Sequence, residues 1–269
     1  MNNPYLIAVD LDGTLLRDDK TISKENLFTL QHLQNMGHKV VISTGRPYRS
    51  SKQYYAELGL KTPIVNLNGA YIHHPINKNY EAVHHSLPLP KAKDILRACQ
   101  NIDVHKVMID VKDDVYLKEH DELFSYFIEE GKHNLYYGDL FETLKHDPSS
   151  MLIKCDEKNV DAVQNLLLES HAEDVVFNRW SAPNQILEIM KIGVSKASGL
   201  QHLGEQFNIP KERMIAFGDE SNDKEMLKYV NHGIAMGNAK EHIKDLADEV
   251  TKSNEENGIA HYLQKFFKL

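Results

Sequence analysis

Both ends of this chain alternate short, unbroken apolar runs with segments of helical periodicity, and that alternation restricts the fold more than any other feature of the sequence. YLIAV (5–9) has the length and composition of a fully buried strand. Ser23 can cap a helix that carries Leu27, Leu30 and Leu33 on one side and stops at Gly37, after which KVVIS (39–43) reads as a second strand. Pro47 opens a helix running toward Gly59, and PIVNL (63–67) supplies a third strand. The same texture returns near the C-terminus as helix 195–207, strand 213–217, helix 221–229, strand 232–236, helix 240–246 and a last helix near 258–267. Strands that alternate with helices imply a parallel sheet with right-handed crossovers, so both ends are expected to build one doubly wound α/β domain.

Between these ends the pattern changes to hairpin-like strands (70–74, 80–86, 104–111, 114–118, 150–155, 175–179, 184–190) and helices near 91–100, 120–131 and 158–170. A chain of 269 residues exceeds the usual single-domain size of about 100–200. The expected organisation is therefore a core from 1–83 and 191–269 with an inserted α+β cap domain at 84–190. The stretch from His120 to Ser149, rich in Glu, His, Tyr and Asp, has no clear period.

Composition removes several classes of function. No run approaches the roughly 18 consecutive apolar residues of a membrane span, and the first residues lack a signal-peptide pattern because Asp10 and Asp12 interrupt the apolar run. A soluble, cytoplasmic protein is expected. A net charge of -8 argues against a generally basic nucleic-acid surface. Cys99 and Cys155 are too few for a disulfide framework and lie in no CxxC spacing, so both are expected to be buried packing residues. His73-His74 and His84-His85 fall in strand-like segments, where neighbours face opposite sides and cannot easily share a metal.

Chemistry concentrates at the ends of the predicted strands. Asp10-Leu11-Asp12-Gly13-Thr14 follows the first strand directly, where α/β sheets bind ligands, and period-two alternation turns Asp10 and Asp12 the same way. Two such carboxylates suit a divalent cation and a phosphate. Ser43-Thr44-Gly45-Arg46 ends the second strand, where a hydroxyl, exposed N–H groups and a guanidinium can hold phosphate oxygens. Lys196 opens a helix in the C-terminal half, a place that favours an anion. Gly218-Asp219-Glu220-Ser221-Asn222-Asp223 follows strand 213–217 and adds the oxygen ligands that Mg²⁺ prefers. Each segment alone could be an ordinary turn or helix cap; their joint occurrence in one α/β pattern is what points to phosphate chemistry.

Taken in order, Asp10-Leu11-Asp12-Gly13-Thr14, Thr44-Gly45, Lys196 and Gly218-Asp219-(x)2-Asn222-Asp223 resemble the four motifs of the haloacid dehalogenase superfamily of phosphatases. The large insertion resembles the subclass B type-two cap of its Cof-type sugar-phosphate phosphatases. Asn66-Leu67-Asn68-Gly69-Ala70, Gly193-Val194-Ser195-Lys196 and Met236-Gly237-Asn238-Ala239 are similar to further Cof-type signatures. The chain departs from the family's common pattern at Ala197 and Glu220, where Gly is frequent.

The resemblance implies a Mg²⁺-dependent phosphatase acting on a small phosphorylated metabolite, a sugar phosphate first. Asp10 would be the nucleophile and a metal ligand, and Asp12 the general acid and base, with its backbone carbonyl on the metal. Asp219 would complete the protein ligands, with Asp223 and Asn222 as near ligands or just behind them. Thr44, Gly45 and Lys196 would bind phosphate oxygens, and Arg46 would face substrate or cap. A sugar phosphomutase of the same superfamily shares the motif set, and a non-catalytic binding protein could share the fold. A signalling receiver domain combines similar residues but is far shorter and needs no insertion. The sequence does not name the substrate, the cap residues that select it, or an oligomeric state.

Overall fold

A computed structural model describes residues 3–100, 104–120, 122–125, 128, 133–171, 173–180 and 186–269. The chain divides into two compact units. The first comprises Met1–Arg46, Ser51–Ala82 and Ser195–Leu269, the second Pro47–Ser50 and Val83–Val194.

In the first unit, β1 (Leu6–Val9) lies between β2 (Lys39–Ile42) and a later strand, Met214–Gly218, in register Leu6↔Lys39 and Leu6↔Met214. All four β1 residues are buried, as expected of a central parallel strand whose two faces are both covered by helices. The N-terminal half also supplies α1 (Lys24–Asn35), α2 (Lys52–Glu57), β3 (Ile64–Asn66) and β4 (Tyr71–His73). Numbering the remaining elements of this unit onward, α3 is Lys196–Phe207, β5 Met214–Gly218, α4 Lys224–Tyr229, β6 His232–Ala235, α5 Glu241–Lys244, β7 Glu249–Val250 and α6 Gly258–Phe267. The five-stranded sheet runs β7-β6-β5-β1-β2 and is parallel throughout.

Local signals set the ends of these elements. Ser23 caps α1, its hydroxyl accepting from the Asn26 N–H at 3.1 Å, and Gly37 ends the turn beyond it at φ 96°. Helix α1 packs on α6, and α3 on α4. The expected third parallel strand is short: β3 meets the end of β2 in parallel through the Ser43–Val65 bridge, with the Thr44 N–H donating to the Val65 carbonyl at 2.9 Å, and also forms an antiparallel hairpin with β4. The Leu67–Gly69 turn that joins them explains the hairpin, because it reverses the chain within three residues.

The second unit is a six-stranded sheet in the order 175–179, 186–191, 150–155, 104–111, 114–117, 135–137, antiparallel except for its last pair. Alternation along the strand at 150–155 sends Met151, Ile153 and Cys155 into one apolar cluster with Ile95, Leu96 and Val163 of the helices Leu89–Cys99 and Glu157–His171. Leu152 points the other way, into a smaller cluster with Met108, Val115 and Phe124. Cys99 and Cys155 are both buried thiols of the larger cluster, and burial pushes Cys99 up to about 12. The aperiodic stretch holds a strand at Leu135–Tyr137 and a helical turn at Leu140–Thr143 that the sequence did not suggest. Of the helix expected at 120–131, Glu122–Ser125 is present and much of the rest lies outside the described residues. Among the described residues no helix is long and apolar enough to cross a membrane.

Because Ile7 is fully buried in the strand that pairs on both sides, Ile7→Ala should cost about 2–5 kcal/mol. Urea-induced unfolding of the purified variant checks this, and a loss below about 1 kcal/mol would show that the strand relaxes into the gap.

Candidate active site

The carboxyl ends of β1, β2 and β5 deliver the predicted residues to one place. Asp10 continues β1, its N–H donating to the Phe217 carbonyl at 3.2 Å, and its side chain is buried. Lys196 is the first residue of α3, and its position is fixed by the helix cap. Ser195 Oγ accepts the Ser198 N–H at 3.2 Å, and Ser198 Oγ accepts the Ser195 N–H at 3.1 Å. From there the fully buried Lys196 ammonium donates to Asp10 Oδ1 at 2.7 Å and to Asp223 Oδ1 at 2.6 Å. The other oxygen of Asp223 accepts the backbone N–H groups of Asp219 (3.0 Å) and Glu220 (3.1 Å), which folds the loop after β5. Asp219 in turn accepts the Thr14 hydroxyl at 2.8 Å.

Carboxylate oxygens of Asp10, Asp219 and Asp223 lie within 4.8 Å of one another. Burial pushes the Asp10 carboxyl well above its ordinary range. Lys196 opposes that shift, while Asp223 and Asp219 add to it. Asp219 is pushed up to about 7, by burial first and then by the charge of Asp223. Burial works against the Lys196 ammonium, yet Asp10 and Asp223 outweigh it and hold it above its usual value. One buried cation therefore faces more carboxylate than it can neutralise. An all-oxygen set with that residual charge fits a hard divalent cation, with Asp10 and Asp219 the side chains best disposed to hold it, since both oxygens of Asp223 are already bonded.

Asp12 faces elsewhere. Arg46 forks its carboxylate, Nε to Oδ2 at 2.6 Å and Nη2 to Oδ1 at 2.7 Å, and Lys20 Nζ adds a bond to Oδ1 at 2.9 Å. Burial alone would raise this carboxyl, but Arg46 and then Lys20 hold it at about 2. The guanidinium of Arg46 also lies over the Tyr54 ring at 5.4 Å. Arg46, expected to face substrate or cap, thus rests on the proposed acid. Thr44 is buried at the end of β2, where its hydroxyl accepts the Arg46 N–H at 3.1 Å and its carbonyl accepts the Asn68 N–H at 3.0 Å. Asn222 donates to Asn68 Oδ1 at 3.0 Å, beside Gly45.

Lys20 was missed from the sequence, while Asn68 and Asn238 stood in the Cof-type signatures without an assigned role. Lys20 sits in the left-handed region at φ 64° at the tip of a turn, and no spacing rule connects it to Asp12. Asn68, also left-handed at φ 53°, links the Thr44 loop to Asn222, which gives the Asn68-Gly69 part of that signature its place at the site. Asn238 donates to the Gly13 carbonyl at 2.8 Å.

A family model for haloacid dehalogenase-like hydrolases matches residues 7–263. The chain belongs to this family. It is 47% identical over 266 residues to the 5-amino-6-(5-phospho-D-ribitylamino)uracil phosphatase YitU of Bacillus subtilis, covering 99% of this chain and 98% of that one. Identity to the phosphatase YwpJ of B. subtilis is 32%, over 96% and 98% of the two chains. Among solved structures, a haloacid dehalogenase-like hydrolase from Bacteroides thetaiotaomicron superposes with a TM-score of 0.83 at 26% identity, covering 98% of this chain and all of that one (100%). This haloacid dehalogenase-like hydrolase is accordingly a phosphatase of small phosphorylated metabolites, built as an α/β core with a cap domain.

Gly13 is the residue that lets the first motif close on the third carboxylate. It adopts φ 73°, and a Cβ there would lie 2.2 Å from Asp219 Oδ2. Gly13→Ala is expected to displace Asp219 and lower kcat/KM by about 10²-fold, with the circular dichroism spectrum unchanged. Wild-type kcat/KM in the folded variant would mean that the Gly13–Asp219 approach is not needed for turnover.

Proposed function

We propose that this phosphatase hydrolyses a phosphomonoester of a sugar or sugar alcohol with Mg²⁺, through an aspartyl phosphate on Asp10. The first substrate to try is 5-amino-6-(5-phospho-D-ribitylamino)uracil, the compound named for the relative that is 47% identical along nearly its whole length. One observation carries the reading: a fully buried lysine bridges Asp10 and Asp223 beside a third carboxylate. That is an arrangement with a purpose for a phosphoryl dianion and its counter-cation, and a costly one for structure alone.

In the first step an Asp10 carboxylate oxygen attacks phosphorus and the ester P–O bond breaks, while Asp12 gives its proton to the departing alkoxide. In the second, Asp12 takes a proton from water as that water attacks phosphorus. The P–O bond to Asp10 then breaks and inorganic phosphate leaves. Bound Mg²⁺ would supply positive charge between the carboxylates and the phosphoryl oxygens, held by Asp10, Asp219 and the Asp12 carbonyl, with Asp223 and Asn222 behind. Lys196 keeps Asp10 oriented and offsets repulsion. Thr44, with the N–H groups around Gly45, holds phosphate oxygens, and Arg46 leaves Asp12 for the phosphate when substrate arrives. That transfer frees Asp12 to carry a proton. The cap expected at 84–190, within the second unit, selects the substrate, and the enzyme works in the cytoplasm.

Asp10→Asn should abolish turnover and phosphoenzyme labelling while the fold survives, because an amide is no nucleophile toward phosphorus. Stoichiometric release of inorganic phosphate is expected. Recovery of an isomeric phosphate ester in its place would make the enzyme a mutase, and labelling of Asp10→Asn would remove the assignment of the nucleophile.

Excess EDTA should stop turnover and Mg²⁺ restore it. The pH dependence has a defined sign. Asp219 is raised to about 7, so the metal-free fold binds more protons than the unfolded chain between the ordinary carboxylate range and pH 7. Metal-free stability should therefore fall as pH rises through that window. A cation needs the ionised carboxylates, so the Mg²⁺-induced rise in Tm should be small at pH 5 and larger at pH 8. Equal Tm gains at both pH values would place the cation away from Asp219 and Asp10.

A further inference from the structure

The most deeply buried arginine of the second unit belongs to a segment that follows the phosphate loop by one residue. The chain leaves the first unit after Arg46 and returns at Ser51, and the intervening Pro47–Ser50 packs as part of the second unit. At its tip Arg49 is only 2% exposed. Its Nη2 donates to Asp110 Oδ1 at 2.6 Å, its Nη1 to the Asp113 carbonyl at 3.3 Å, and its backbone N–H to Asp113 Oδ1 at 2.7 Å. Asp110 is itself 2% exposed and lies on the strand Val104–Val111. The two ends of the excursion are held together by one side chain of the first unit: Asn66 Nδ2 donates to the Arg46 carbonyl at 2.8 Å and to Ser51 Oγ at 2.9 Å. His73 Nε2, 3.1 Å from Asn66 Oδ1, fixes that amide in turn.

A buried ion pair adds little to stability compared with apolar packing of the same volume, so its presence calls for a reason of position. Here the reason lies in the covalent chain. Arg46, whose guanidinium reaches Asp12, is joined through Pro47 to a peg seated among Asp110 and Asp113, and proline removes much of the slack from that joint. We propose that Arg49 is a positioning residue: by pegging Pro47–Ser50 among Asp110 and Asp113 it limits, through the Arg46–Pro47 joint, the freedom of Arg46 and the Thr44 loop. This rests on the reading of Thr44 and Arg46 as groups that meet the substrate phosphate.

The test uses the full-length Mg²⁺-loaded enzyme, p-nitrophenyl phosphate as substrate and inorganic phosphate as competing ligand. Arg49→Met combined with Asp110→Asn removes both charges together and leaves neither buried alone. A single glycine inserted between Arg46 and Pro47 leaves the Asp110 socket and the Asn66 clasp intact but slackens the joint. Each change should raise the Ki for phosphate and the KM by about tenfold, the scale of one charge-assisted bond lost, with a smaller change in kcat. Arg49→Lys, which keeps charge but not the fork, should fall between these and the wild type. A role confined to stabilising the cap would lower Tm and leave Ki untouched.

Wild-type Ki in either the folded double variant or the insertion overturns the proposal, and the insertion decides if the double variant does not fold. Arg46→Met separates the two levels. If it weakens phosphate binding while the insertion does not, the inference on Arg49 fails and the reading of Arg46 stands. If Arg46→Met leaves phosphate binding unchanged, the reading of Arg46 fails and the inference goes with it.

Discussion

The core of this protein is organised around a single ammonium group. Lys196 reaches Asp10 at the end of β1 and Asp223 beyond β5, so one side chain ties the two strands that carry chemistry to the start of α3. A lysine that is completely buried is stable only if its charge is matched, and a cluster of carboxylates is stable only if its repulsion is relieved. Each therefore requires the other. The match is incomplete in number, since three carboxylates crowd around one ammonium, and burial first, then their mutual repulsion, raises Asp10 and Asp219 above the ordinary carboxylate range. The surrounding geometry follows from keeping that cluster tight. Gly13 and Gly218 give the Asp219 and Asp223 side chains room where a Cβ would strike them at 2.2 and 2.5 Å, and Thr14 fixes the nearer of the two carboxylates.

How much of this could be read from the residues depended on whether the signal was local. Leu6–Val9 and Met214–Gly218 are continuous apolar runs because a central parallel strand is covered on both faces, and the helix Gly258–Phe267 follows its periodicity closely. Asp10, Thr44, Lys196 and Asp219 stand at element ends, where sheet geometry alone predicts a ligand site. The failures share a cause as well. That Ile64–Asn66, besides its parallel bridge to Ser43, also pairs back on Tyr71–His73 is decided by the left-handed pair Leu67 and Asn68, an outcome that the apolar run cannot encode. The strand Leu135–Tyr137 is short, with both tyrosines exposed, so it carries no alternation to detect. Lys20 and Arg49 look in sequence like solvated cations, and only the fold shows one on Asp12 and the other buried against Asp110.

The two aspartates of the first motif separate because of the cations beside them. Asp10 shares a buried lysine with a second acid and retains its proton more readily than an isolated carboxyl; Asp12 has two cations to itself and loses its proton more readily. In the resting protein both oxygens of Asp12 are taken by Arg46 and Lys20, which hold it at about 2, so the acid role proposed for it calls for a change of partner. The contacts differ in how readily they yield. Lys20 and Asp12 form an ion pair with both side chains 44–45% exposed, a kind worth about 0–1 kcal/mol, so water can replace it. Arg46 is the stronger hold, through two bonds and the face of Tyr54, and displacing it needs an anion that offers its guanidinium a fork at least as good as a carboxylate. A phosphate dianion is such an anion. On the proposed mechanism the arriving phosphate draws Arg46 off Asp12, and the burial that raises this carboxyl is then opposed by Lys20 alone.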